Sequence, residues 1–183
     1  MGKYDIPAVV ERIREETGKP KVTLMGYSQG GAQIFYALAT NQDWYAERVH
    51  RFVSLAGCHY ARGQNNYELK THEYLKYDEL GIYNLFGGDA SSLNETNCVE
   101  LDVCIYLLRN CCGQSLNSLM YFDQISVAGQ FQEPISLEKW AAGEIYSSPV
   151  QLSKIDRVPV SIVHGTEDET CDPIMIEWTY TQI

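Results

Sequence analysis

Five residues, Gly26-Tyr27-Ser28-Gln29-Gly30, constrain this chain more than any others. They join an apolar run, Val22 to Tyr27, to a pattern starting near Gln29 that sets Ile34, Phe35 and Leu38 on one side. The first reads as a buried strand and the second as an amphipathic helix. A strand that becomes a helix across one serine must turn within that residue. Glycines two before and two after it, Gly26 and Gly30, are expected because larger side chains would meet the neighbouring backbone. Such a strained G-x-S-x-G turn pushes the Ser28 hydroxyl out over the end of a sheet, the setting of a serine nucleophile. It also leaves the Gln29 N–H at a helix N-terminus, where it can hold an oxyanion. The small residues Gly30, Gly31 and Ala32 let the helix approach the sheet closely. A glycine-rich turn with an inert serine is the alternative, and the strand before and helix after it favour the nucleophile.

The rest of the chain supplies a setting for that turn. Tyr4 to Gly18 reads as a helix with Asp5 as N-cap, Pro7 in its first turn, and Gly18 and Pro20 at its end. Ile6, Val9, Val10 and Ile13 form its apolar stripe. The polar stretch Asn41 to Glu47 carries the chain back, and Arg51 to Cys58 reads as a neighbouring parallel strand, giving a βαβ unit over residues 21–58. From His59 to about residue 150 strand–helix alternation stops, tyrosines are frequent, and helical patterns occur at Val99–Leu108 and Ser115–Ile125. This reads as a mostly helical insertion above the carboxyl ends of the strands. Its tyrosines would line an apolar acyl pocket or fill the insertion's own core. Residues 151–183 return to alternation, with a strand at Val158–His164, an acidic turn, and a helix from Ile174 to Tyr180.

Charge and cysteine usage narrow the setting. A net charge of −10 argues against nucleic acid or an anionic membrane surface as partner. No apolar run reaches membrane-spanning length, and the N-terminus lacks a basic-then-apolar leader pattern. Of the six cysteines, Cys98, Cys104, Cys111 and Cys112 crowd together, while Cys58 and Cys171 stand apart. No C-x-x-C pair occurs, so a zinc site is not expected. With the glycosylation sequon at Asn94-Glu95-Thr96, the cysteines lean toward an oxidising, secretory compartment.

A serine nucleophile needs a base and a group to orient that base. On turns of this type the partners follow in the order acid, then histidine. Asp168 lies just past a late strand, where the acid is expected; Glu167, Glu169 and Asp172 are rivals, and a solvated acidic turn is the bland reading. The loop's spacing fits neither an EF-hand nor a zinc site, so no metal is expected. The histidines are His50, His59, His72 and His164, and none follows Asp168. The expectation is therefore a nucleophile and an acid with no general base among these residues.

MGKYDIPAVVERIREETGKPKVTLMGYSQGG resembles the segment leading into the nucleophile turn of the acid lipases, the gastric and lysosomal group within the α/β-hydrolases. Leu101–Val103, SLNSLMYFDQ from Ser115 and AGQFQ at Ala128–Gln132 resemble that family's cap, and Ser161–Pro173 its acid-bearing loop, with Asp168 on the catalytic aspartate. The resemblance implies a partial α/β-hydrolase fold: a mostly parallel sheet with flanking helices and a mostly helical cap. Residues 1–58 would form the core with the turn, 59–150 the cap, and 151–183 the return to the core. It further implies a lipase acting on triacylglycerol or sterol esters at an interface, secreted or lysosomal, through an acyl-enzyme and without a cofactor. Ser28 and Asp168 would be catalytic, the Gln29 N–H an oxyanion donor, and the histidine would lie beyond Ile183. A general carboxylesterase, or a non-catalytic lipid-binding protein that keeps the turn as architecture, is the competing reading.

Overall fold

The computed structural model describes residues 1–57, 59, 116–168, 171 and 173–183. The patterns placed at Val99–Leu108, the sequon at Asn94, His72, and the rival acids Glu169 and Asp172 lie outside them. The chain divides into two compact units, Met1–Gln64 with Ile125–Ile183, and Asn65–Gln124. Side chains join residues 130–149 to the rest of the first unit. The Tyr36 hydroxyl donates to the Glu133 carboxylate at 2.8 Å, and the Phe131 ring packs against His59 with centroids 5.2 Å apart. Buried Gln132 donates to Ile145 O and accepts from Ser147 N, tying the two ends of residues 132–147 together.

The chain opens with helix α1 (Asp5–Thr17), strand β1 (Val22–Tyr27) and helix α2 (Gln29–Thr40). Next come α3 (Gln42–Arg48) and β2 (Val49–Leu55). After the undescribed stretch follow α4 (Leu116–Ala128), α5 (Leu137–Ala141), a single 3-10 turn (Leu152–Lys154), β3 (Val160–Val163) and α6 (Pro173–Gln182). The polar stretch after α2 is thus a short helix rather than a plain connection.

Helix α1 starts at Asp5 with Tyr4 at the N-cap and no side-chain cap bond, so Asp5 is not the cap. Its carboxylate instead pairs with the N-terminal ammonium at 3.0 Å. Gly18 closes the helix in the left-handed conformation at φ 64°, and its N–H reaches Arg14 O. The expected apolar stripe is only partly used: Val10 is fully buried, while Val9 and Ile13 are exposed.

The three strands form one parallel sheet in the order β1-β2-β3. In β1, Val22, Leu24 and Gly26 face inward and Thr23, Met25 and Tyr27 outward, a strict alternation. On the inward side Leu24 and Phe52 are register partners, and the Phe52 ring meets the Phe35 edge at 4.9 Å. Ile34, Phe35 and Leu38 of α2 are all buried, as their spacing anticipates. The register levels the carboxyl ends of the strands: Tyr27 pairs with Leu55, and Leu55 with Val163. The ladder runs one step further, because Ser28 N–H bonds Leu55 O at 3.0 Å and Ala56 N–H bonds Val163 O at 2.8 Å. Ser28, Ala56 and His164 therefore stand in a row at one end of the sheet.

Candidate active site

Ser28 occupies φ 51°, ψ −121°, a region that non-glycine residues avoid. Holding it there costs on the order of 1–3 kcal/mol, which the surroundings must offset. They do so with backbone bonds on both sides. Its N–H is tied to Leu55 of β2, and its carbonyl accepts from Gly31 N at 2.9 Å and Ala32 N at 3.3 Å. The serine is thus clamped between a strand end and the first turn of α2. The Gln29 backbone N–H makes no hydrogen bond among the described residues. It sits at the positive end of the α2 dipole, where an anion is favoured.

The steric demand falls on a different pair of glycines from the expected one. A Cβ on Gly26 would lie 2.7 Å from Gly30 O and 2.7 Å from Gly31 N, so no larger residue fits without moving the turn. A Cβ on Gly30 would meet nothing within 4 Å. It is Gly31 whose Cβ would collide, 2.8 Å from the Gly57 Cα. Gly30 is the residue that Gly26 needs room from, through its carbonyl. Gly31 is the point where α2 touches the loop leaving β2.

That loop is also strained. Ala56 has φ 45°, so residues at the ends of two adjacent strands adopt positive φ. Gly57 follows, and a Cβ there would fall on Ser54 Oγ. The chain then reaches His59, which is fully buried. Its Nδ1 lies 2.8 Å from Gly57 O and its Nε2 2.6 Å from Thr179 Oγ1 of α6. Burial pushes its pKa down to about 4. His59 is therefore a neutral core residue, not a general base facing substrate.

Asp168 lies in the loop after β3 and is half-buried. Its Oδ1 accepts from Cys171 N at 2.9 Å, which fixes the carboxylate relative to its own loop. Glu167 is exposed, with no such bond among the described residues. Cys171 is buried and disulfide-bonded, and with Met175 it packs against Ala56 and Trp178. The acid loop is thereby seated on the strained end of β2. Its partner cysteine lies outside the described residues. With β2 between them, β1 and β3 run about 10 Å apart at a spacing of ~4.8 Å per strand. Ser28 and Asp168 so share one edge of the sheet with a gap of one strand between them.

No histidine of the described residues completes the pair. His50 is on β2 near its amino end, the wrong end of the sheet, and His59 is enclosed. His164 is at the correct end, and its Nδ1 lies 3.1 Å from Gly165 O in its own loop. Sequence reasoning read Gly31 as a close-approach residue but missed Ala56, Gly57 and the His59–Thr179 pair. Nothing marks Thr179 ahead of the fold.

The family model described as the alpha/beta hydrolase fold matches residues 1–178. The chain belongs to the α/β-hydrolase fold family. Among curated relatives, human lipase member K is 25% identical over the whole chain, which covers 54% of lipase K. Mouse gastric triacylglycerol lipase is 41% identical over 56 residues, 31% of this chain and 14% of that lipase. A probable lipase of Schizosaccharomyces pombe is 38% identical over 88 residues, 48% of this chain and 19% of that protein. This α/β-hydrolase chain thus spans about half of lipase K and smaller shares of the other two. Two solved structures share the fold. A bromoperoxidase from Bacillus anthracis has TM-score 0.53 at 16% identity, with 95% of this chain and 60% of that one covered. An epoxide hydrolase mutant from Bacillus megaterium has TM-score 0.52 at 18% identity, covering 98% and 65%. No helix among the described residues is long and apolar enough to cross a membrane.

Proposed function

We propose that this α/β-hydrolase is a lipase that cleaves carboxylic esters of lipids, triacylglycerols or sterol esters, through a serine acyl-enzyme. The observation that carries the reading is the clamped, positive-φ Ser28 with an open Gln29 N–H beside it. The lipases among its relatives supply the substrate class.

In this reading Ser28 Oγ attacks the ester carbonyl while a histidine takes its proton. That histidine is not one of the described three, His50, His59 and His164. The Asp168 carboxylate holds the ring in the tautomer that presents its free nitrogen to the serine and stabilises the imidazolium. The tetrahedral oxyanion accepts from the Gln29 N–H, a donor typically worth about 3–4 kcal/mol. Collapse expels the alcohol with the proton returned by the histidine. Water then enters by the same route in reverse and releases the fatty acid. The residues need no cofactor for this chemistry. The disulfide at Cys171 and the sequon at Asn94 fit a secreted or lysosomal glycoprotein.

A fluorophosphonate probe tests the assignment. A product that carries a histidine after Asp168 is labelled at Ser28, and Ser28→Ala removes the label. An unlabelled product of that kind overturns the enzyme reading in favour of a non-catalytic lipid-binding protein. Comparing long-chain with short-chain esters separates a lipase from a general carboxylesterase.

A further inference from the structure

We propose that His59 is a positioning residue that locks the acid-bearing loop to the nucleophile turn. This rests on the reading of Ser28 and Asp168 given above. The geometry of its surroundings carries the proposal. The His59 ring touches the helix that Ser28 opens, the loop that follows the strand holding the Ser28 N–H, and the helix that follows the acid loop. From α2, the helix that Ser28 opens, Phe35 packs on it with centroids 4.7 Å apart. From the loop leaving β2, whose Leu55 carbonyl holds the Ser28 N–H, Gly57 O lies 2.8 Å from Nδ1. From α6, which follows the acid loop, Thr179 Oγ1 lies 2.6 Å from Nε2.

Donor and acceptor roles follow from chemistry. A carbonyl only accepts, so the Nδ1 proton goes to Gly57 O. In the neutral ring Nε2 is then an acceptor, and the Thr179 hydroxyl donates to it. The Met175 carbonyl, 2.8 Å from the same hydroxyl, is one helical turn earlier in α6 and has the Thr179 backbone N–H as its helical partner. One hydrogen on each bond therefore satisfies every polar atom of the ring. Neither bond is replaceable by water, because the ring has no exposed surface. Among the described residues no charged group contacts it; Phe35, Phe131, Gly57 and Thr179 are its neighbours. Met175, on the turn that Thr179 bonds, packs with Cys171, whose N–H holds Asp168 Oδ1. The chain of contacts from ring to carboxylate then passes through three residues, Thr179, Met175 and Cys171.

Amide hydrogen exchange on the whole chain tests this without requiring activity. The reporters are the Cys171 amide, bonded to Asp168, and the Ser28 amide, bonded to Leu55. The control is the Phe52 amide, bonded to Pro159 O at the opposite end of the sheet. His59→Leu keeps the packing volume and removes both bonds, whereas His59→Gln can donate and accept as the neutral ring does. Thr179→Val removes the hydroxyl alone and serves if His59→Leu does not fold. With His59→Leu or Thr179→Val, Cys171 exchange rises about tenfold relative to Phe52, and His59→Gln stays near wild type. Equal change at all three amides, or Leu protecting as well as Gln, overturns the proposal and leaves His59 as packing alone. Failure of the Ser28 assignment shows separately, as absence of fluorophosphonate label, and leaves the exchange pattern untouched.

Discussion

Replacing one glycine of the nucleophile turn at a time separates the two steric accounts of it. Gly26→Ala places a methyl 2.7 Å from Gly30 O and Gly31 N and 2.8 Å from the Gly30 carbonyl carbon. All three are backbone atoms, so no side chain can swing away, and the turn itself must open by more than half an ångström to reach ordinary contact. Overpacking of this kind typically costs about 1–3 kcal/mol, and backbone obstruction puts the expectation at the upper end. Gly30→Ala meets nothing, and Gly30 lies in the first turn of α2 without positive φ. Alanine there lowers the entropy of the unfolded chain and raises helix propensity, a gain of roughly 0.5–1 kcal/mol. Gly31→Ala makes the same propensity gain but drives a methyl to 2.8 Å from Gly57 Cα, for a net loss of about 1–2 kcal/mol. The assay is urea unfolding followed by tyrosine and tryptophan fluorescence, with midpoint shifts compared at a common slope. The order expected is Gly30→Ala above wild type, then Gly31→Ala, then Gly26→Ala. Gly30→Ala as damaging as Gly26→Ala would refute the geometry and restore the symmetric account of the motif.

Two further outcomes follow from buried polar groups. His59 titrates at about 4 when folded against about 6.5 when unfolded, so the unfolded chain binds the extra proton first as pH falls. Stability is therefore undiminished above pH 6.5 and falls by about 3 kcal/mol between there and pH 4, where the loss levels off. Unfolding free energies of wild type and His59→Gln across that window check it: the difference between them should be flat if the histidine is not the cause. Tyr45 is buried, its hydroxyl has no hydrogen-bond partner among the described residues, and burial pushes its pKa up. Tyr45→Phe removes that unmet hydroxyl and is expected to be neutral or to stabilise by about 1 kcal/mol, read as a rise in the urea midpoint. A loss larger than that would mean the hydroxyl is satisfied in solution.

How much of this was legible in the sequence depended on the range of the forces involved. The strand at Val22–Tyr27, the helix from Gln29 and the buried trio Ile34, Phe35 and Leu38 were all read correctly. Each is fixed by periodicity within a single element, where side-chain direction repeats every two or 3.6 residues. The parallel pairing of the first two strands was also recoverable, because a helix between two short apolar runs allows little else. Asp5 was misread as a cap because the helix starts one residue earlier than that reading requires, with Tyr4 at the N-cap, and helix ends are set only to within a residue or two by local pattern. Val9 and Ile13 lie on the apolar stripe yet are exposed, because such a stripe states that a face prefers burial, not that another element arrives to cover it.

The site divides along the same line. Ser28, Gly26 and the Gln29 N–H belong to one local turn, and a five-residue pattern is sufficient to place them. Exchanging Gly30 for Gly31 as the constrained position needed Gly57, twenty-six residues away, whose approach is set by how the loop leaves β2. His59 shows the limit most sharply. In sequence it is one histidine in four beside a strand end, as available for catalysis as His164. Its character comes wholly from Phe35, Phe131 and Thr179, the last of these 120 residues further along the chain. No pattern in the neighbourhood of residue 59 encodes that enclosure. Thr179 of α6 helps enclose the histidine, and Met175 of the same helix packs on Cys171 in the loop that bears Asp168. The two halves of the site are thus held in place by contacts that the motif does not contain.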